Sequence, residues 1–131
     1  MNNLPIPPTE SIIYQDEKLY ICRALYPITN GHTVVVWKNS VNDLHLLPRE
    51  DYEYLMDIVD ATRNSLLEYY KTEKAYLIYM DEVNQVHWHI VPRYNEKGFN
   101  VFNHEPKLTE DYIASGDLKD LFIKNYTEMG M

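Results

Sequence analysis

Apolar positions along the chain fall into three patterns. Short β-branched or aromatic runs between turn residues mark strands, a spacing of three and four marks one long helix, and a cluster of prolines marks an extended arm. Asn2 to Thr9 holds Pro5, Pro7 and Pro8. Proline fixes φ and has no N–H to donate, so this stretch reads as an arm rather than a strand or helix. Ser11–Tyr14 and Leu19–Ala24 read as two strands about the polar turn Gln15–Lys18. Thr33–Trp37, a run of Thr, three valines and Trp, follows the turn Thr29-Asn30-Gly31 and reads as a third strand. Pro48 to Tyr70 predicts a helix, because Tyr52, Leu55, Met56, Val59, Thr62, Leu66 and Tyr70 recur at helical spacing. Pro48 suits the first helical position, and Glu50 and Asp51 favour the positive end of the helix dipole.

Beyond the helix, Ala75–Met80 and Gln85–Arg93 read as two more strands, the second ended by Pro92 and a polar turn at Asn95–Gly98. Phe99–Pro106 reads as irregular. Short helices are expected near Glu110–Ala114 and Leu118–Asn125, with Thr109 and Asp117 as caps. The order of elements predicts an α+β domain. Its sheet is mostly antiparallel with about five strands, and one long helix and a C-terminal helical tail accompany it. We divide the chain into an N-terminal arm (1–10), a sheet-and-helix domain (11–98) and a tail (99–131) packed on the same domain.

Composition narrows the function. The 131 residues fit one domain, and 45% hydrophobic residues suffice for a core. Twelve basic against 20 acidic residues give a net charge of -8, which argues against a broad nucleic-acid surface. No apolar run reaches the roughly 18–20 residues of a membrane span. Met1–Glu10 does not read as a secretory signal. The single cysteine, Cys22, excludes an internal disulfide and a multi-cysteine metal cluster, which points to a reducing, cytoplasmic setting.

The chemistry concentrates in Asn84-Gln85-Val86-His87-Trp88-His89-Ile90-Val91-Pro92-Arg93. Strand side chains alternate, so Gln85, His87 and His89 are expected on one face, and Val86, Trp88 and Ile90 on the other, beneath the helix. Same-face neighbours stand roughly 6.5–7 Å apart, room enough for a phosphate or a metal ion. His32 follows Gly31 and opens the Thr33–Trp37 strand, where strand pairing would bring it to the other two histidines. His45 and His104 lack such surroundings and read as surface residues. The pattern by itself leaves a nucleophilic site, a metal site using Asp81 or Glu82, and a structural histidine pair all open.

The stretch Gln85-Val86-His87-Trp88-His89-Ile90-Val91 resembles the histidine-triad (HIT) family of nucleotide hydrolases and transferases, whose signature alternates three histidines with apolar positions. Tyr26-Pro27-Ile28-Thr29-Asn30-Gly31-His32-Thr33-Val34-Val35-Val36 is similar to that family's Pro-x-x-x-Gly-His followed by an apolar strand. The resemblance spans Tyr14 to Tyr94. It implies that His87 is the nucleophile toward an α-phosphorus, forming a nucleotidyl-phosphohistidine. It implies that His89 and His32 donate to phosphate oxygens, that no metal or other cofactor is needed, and that the protein is a homodimer. Dinucleoside polyphosphates and nucleoside phosphoramidates are the substrates it suggests.

Several residues depart from the family pattern. Gln85 stands where the first histidine belongs; an amide can donate or accept but cannot carry a proton. Ala24 lies near where members place an Asp or Asn for the ribose hydroxyls, which leaves Arg23 or a displaced residue as a substitute. The link Asp81–Asn84 is short, with Asn84 a phosphate ligand or a turn residue and Arg93 a phosphate contact or a solvated cation. Gln85 and Ala24 motivate an alternative, a nucleotide-binding or sensing module without turnover. A histidine metal-binding domain is the third reading.

Overall fold

Five strands form one sheet in the order β1-β2-β3-β5-β4. They are β1 (Ile12–Gln15), β2 (Leu19–Arg23), β3 (Thr33–Trp37), β4 (Lys74–Ile78) and β5 (His87–Arg93), with helix α1 (Arg49–Tyr70) between β3 and β4 and helix α2 (Ser115–Met129) at the end. The computed structural model describes residues 4–94, 112 and 114–130. Every neighbouring strand pair is antiparallel. This is the α+β architecture that the sequence predicts.

Register decides which side chains share a face. Val36 lies opposite His87 and Val34 opposite His89, while Tyr20 and Cys22 lie opposite Val36 and Val34. All six therefore stand on one face. The alternate residues Leu19, Ile21, Val35, Trp37 and Ile90 face the other way and are buried with Leu55, Ile58, Val59 and Leu66 of α1. Leu55 and Ile58 are fully buried, and each such side chain contributes roughly 1.5–3 kcal/mol. One face of the sheet thus packs on the helix, and the other carries the histidines.

Helix α1 begins after Pro48, with Glu50 and Asp51 in its first turn, and stops at Lys71 in the left-handed conformation (φ 55), whose N–H bonds to the Leu67 carbonyl. Helix α2 is longer than the expected Leu118–Asn125. Ala114 precedes it without a side-chain cap, and Asp117 lies within its first turn instead of capping it. Packing explains the extension. Leu118 and Phe122 are buried against the core, Phe122 stacks on Tyr126 at 5.8 Å and meets Tyr14 of β1 at 4.9 Å, and Asn125 Nδ2 donates to Ser65 Oγ at 3.0 Å.

Strand β5 starts two residues later than the sequence suggests, at His87. Asn84 is left-handed (φ 58), and the Asp81 carboxylate accepts the N–H groups of Val83 and Gln85 at 2.8 and 3.3 Å, so the chain is still turning at Gln85. Two short 3-10 turns, Thr9–Ser11 and Leu44–Leu46, were not expected. The turn expected at Asn95–Gly98, the irregular stretch Phe99–Pro106 with His104, the cap Thr109 and three of the five residues of the expected helix Glu110–Ala114 lie outside the described residues. Among the described residues, no helix is long and apolar enough to cross a membrane.

Candidate functional site

β3 and β5 are neighbours, and their pairing brings three histidines into contact. The imidazole of His89 lies between the other two, with ring centroids 5.1 Å from His32 and 5.1 Å from His87. His87 and His89 are held by alternation on β5. His32 is held by the turn before β3, which is clamped from several sides. Gly31 adopts φ 95, His32 N–H bonds to the Thr29 carbonyl, Thr29 Oγ1 donates to the Pro92 carbonyl at 2.7 Å, and Tyr94 Oη donates to the Asn30 carbonyl at 2.7 Å.

Backbone groups set the proton positions on all three rings. Ile28 N–H donates to His32 Nδ1 at 3.0 Å. That nitrogen is an acceptor, so the neutral ring carries its proton on Nε2. His32 Nε2 then donates to His89 Nδ1 at 3.0 Å, which places the His89 proton on its own Nε2. His87 Nδ1 stands 2.7 Å from the Gln85 carbonyl oxygen, which can only accept. His87 therefore carries its proton on Nδ1 and keeps a lone pair on Nε2. The result is one basic nitrogen on His87 beside one N–H donor on His89.

Burial supports the neutral forms. Burial, with a smaller contribution from His89, pushes His32 down to about 3, and burial together with His87 pushes His89 down to about 4. Both are neutral near pH 7. Each nitrogen of His32 is engaged within the protein, so its expected donation to a phosphate runs through His89 in this arrangement. Among the described residues, no group of three or more His, Cys, Asp or Glu is placed to hold a metal ion.

The histidines open onto a cavity of about 280 Å³ between the sheet and the N-terminal arm. Leu4 to Pro8 form one wall, and Tyr20, Cys22, Val34 and Val36 form the floor. The prolines marked the arm in the sequence, but nothing local indicated that it crosses the histidine face. Leu4 packs on Tyr20, Cys22 and Val36, a contact between distant parts of the chain. Burial pushes the Cys22 thiol up to about 12, so it lines the cavity as a neutral apolar group. Ile6 and Tyr26 are exposed at the rim, and the lining is largely apolar around the polar histidine end.

The remaining sequence candidates are placed differently. Gln85 is fully buried and does not line the cavity; its side chain bonds to Trp37 and Leu4. Asn84 is an exposed left-handed turn residue outside the cavity, and Arg93 ends β5 opposite Lys74, also outside it. Ala24 borders the cavity. Arg23 also lines it, largely buried, with its guanidinium 5.9 Å from the Tyr70 ring centre and no hydrogen-bond partner for Nε or Nη1 among the described residues. His45 is exposed and bonds to Asp43.

The HIT domain family model matches residues 8–96. A hypothetical histidine triad nucleotide-binding protein from Sulfolobus tokodaii superposes with a TM-score of 0.68 at 18% identity, over 91% of this chain and 85% of that one. A Zn-bound histidine triad family protein from Mycobacterium smegmatis gives 0.65 at 21% identity, over 95% and 88%. Diadenosine triphosphate hydrolase from Plasmodium falciparum, in complex with Cyclomarin A, gives 0.61 at 12% identity, over 95% and 79%. At these identities the likeness is one of fold. No curated protein sequence matches the chain.

Proposed function

The chain belongs to the HIT domain family, and from that premise we propose that it is a nucleotide hydrolase or transferase acting through His87. The substrate is a nucleoside polyphosphate or phosphoramidate, cleaved at its α-phosphate. The observation that carries this reading is the bond from His87 Nδ1 to the Gln85 carbonyl, 2.7 Å long. It leaves Nε2 as the nucleophile, and the carbonyl dipole stabilises the positive charge that the ring acquires as Nε2 bonds to phosphorus.

In the first step the His87 Nε2 lone pair forms the N–P bond, and the bond from phosphorus to the leaving group breaks. The leaving group departs with that electron pair and takes up a proton from water, which an amine leaving group requires. His89 Nε2–H donates to the phosphate end as charge shifts there. In the second step water attacks phosphorus and releases a proton to solvent, the N–P bond breaks, and its electron pair returns to His87. His32 acts as a positioning residue, holding His89 in the donating tautomer. The resemblance extends the proposal to a homodimer, which mass in solution tests, and the single cysteine extends it to a cytoplasmic setting.

The test is hydrolysis of diadenosine tetraphosphate and an adenosine phosphoramidate in excess EDTA, with His87→Ala beside wild type. Turnover that survives chelation and falls at least about 10³-fold in the variant supports the covalent route. Turnover abolished by EDTA and restored by metal would move the protein to the metal reading. Nucleotide binding without turnover, in a site whose Gln85 side chain is committed elsewhere, would leave the binding module.

A further inference from the structure

Gln85 occupies the position of a histidine in the family signature, yet its amide does not reach the cavity. Its Oε1 accepts the Leu4 N–H at 2.9 Å, and its Nε2 donates to the Trp37 carbonyl at 3.1 Å. Trp37 N–H bonds to the Val86 carbonyl at 2.9 Å, so the end of β3 is tied to both Gln85 and Val86. The Gln85 carbonyl is the acceptor for His87 Nδ1. One residue therefore touches the nucleophile through its backbone and the arm through its side chain.

Among the described residues of the arm, few groups hold it in register. Pro5, Pro7 and Pro8 lack N–H donors, Ile6 is 86% exposed, and Thr9–Ser11 closes the far end through Ser11 N–H to the Pro8 carbonyl. At the near end stand the Leu4 side chain, against Tyr20, Cys22 and Val36, and the hydrogen bond to Gln85. The cavity is the space beneath this span.

We propose that Gln85 is a positioning residue that latches the N-terminal arm over the cavity and so sets the affinity for the part of the substrate lying under Leu4–Pro8. The proposal rests on the nucleotide reading above for the identity of that substrate, and on geometry alone for the latch. A buried amide suits this task better than an imidazole. Both groups offer a donor and an acceptor on one planar unit, but the amide has no protonation state to manage. Loss of the latch frees the arm without disturbing the His87–carbonyl bond, so the effect falls on KM rather than kcat.

The experiment compares wild type with Gln85→Met, which keeps the length and removes the side-chain hydrogen bonds to Leu4 and Trp37. A second pair is Leu4→Pro, which removes the N–H, against Leu4→Ala, which keeps it. Leu4 amide exchange is followed by NMR, and kinetics and binding of adenosine 5′-monophosphate are measured on each variant. The latch predicts at least tenfold faster Leu4 exchange in Gln85→Met, with KM and the AMP dissociation constant raised about fivefold or more and kcat kept within twofold. It also predicts that Leu4→Pro raises KM further than Leu4→Ala. A fall in kcat at unchanged KM would overturn the proposal and place Gln85 in the chemistry. Unchanged Leu4 exchange would overturn the latch itself. If wild type binds and turns over no nucleotide, the functional reading fails, while the exchange measurement still decides whether Gln85 holds the arm.

Discussion

His32 Nε2 donates to His89 Nδ1 across 3.0 Å, and the direction of that bond is set by Ile28, whose backbone N–H occupies the other nitrogen of His32. A main-chain group in the turn before β3 thereby orients a proton on β5. Replacing His32 with Ala leaves His89 Nδ1 and Ile28 N–H without this partner and lets His89 sample the wrong tautomer. We expect kcat to fall about 10-fold to 100-fold, in line with the 1–3 kcal/mol cost of an unpaired buried group, with KM little changed. The His89 tautomer, read from its ¹⁵N shifts, should become mixed. A large rise in KM at unchanged kcat would instead put His32 in contact with the substrate.

The two depressed histidines make stability depend on pH. In the folded protein His32 and His89 protonate only near 3 and 4, against 6.5 for the free side chain, chiefly because burial disfavours the charged ring. Between about pH 6.5 and 4 the unfolded chain therefore binds more protons than the native one, and stability falls as the pH falls. Above pH 7 both rings are neutral in either state and contribute no slope. Urea midpoints measured from pH 7.5 to 4 should decline toward the acid end, with a shallower decline in His89→Gln. Equal slopes in the two proteins would mean that His89 is not held neutral.

The sheet and long helix are legible in the sequence because their signals are local. Thr33–Trp37, four β-branched residues and a Trp, forms β3 without a shift, and the spacing of Leu55, Val59, Thr62 and Leu66 marks the face that α1 buries. Alternation also places His87 and His89 on one face. It failed at Gln85, which fits the alternation but belongs to a turn made by the Asp81 carboxylate and left-handed Asn84. The partners of Gln85, Trp37 and Leu4, lie 48 and 81 residues away, beyond any local pattern. The cavity was hidden too, since its wall (Leu4–Pro8) and its floor (Tyr20, Cys22, Val34 and Val36) meet only through tertiary packing. The proton positions were hidden too, because they depend on where the main-chain groups of Ile28 and Gln85 point.

Gly31 tests how tightly the turn before β3 governs the site. Its φ of 95 is one that L side chains rarely adopt, and a Cβ there would sit 2.5 Å from Tyr70 Cε2. The Tyr70 ring is itself packed edge-on against Tyr69 and lies beneath the Arg23 guanidinium, so it has neighbours to displace if it moves. Gly31→Ala therefore combines backbone strain with overpacking, and we expect a loss of about 2 kcal/mol or more in urea unfolding. The next residue is His32, whose position orders His89, so kcat should fall as well. The two contributions separate in Gly31→Ala combined with Tyr70→Leu. Each variant's loss is taken against its parent, so the cost of Tyr70→Leu itself is removed. Relief of the contact should reduce the cost of the Ala, while the part due to φ remains. If the Ala costs nothing with Tyr70 present, the turn can re-form without the left-handed residue, and Gly31 does not control the placement of His32.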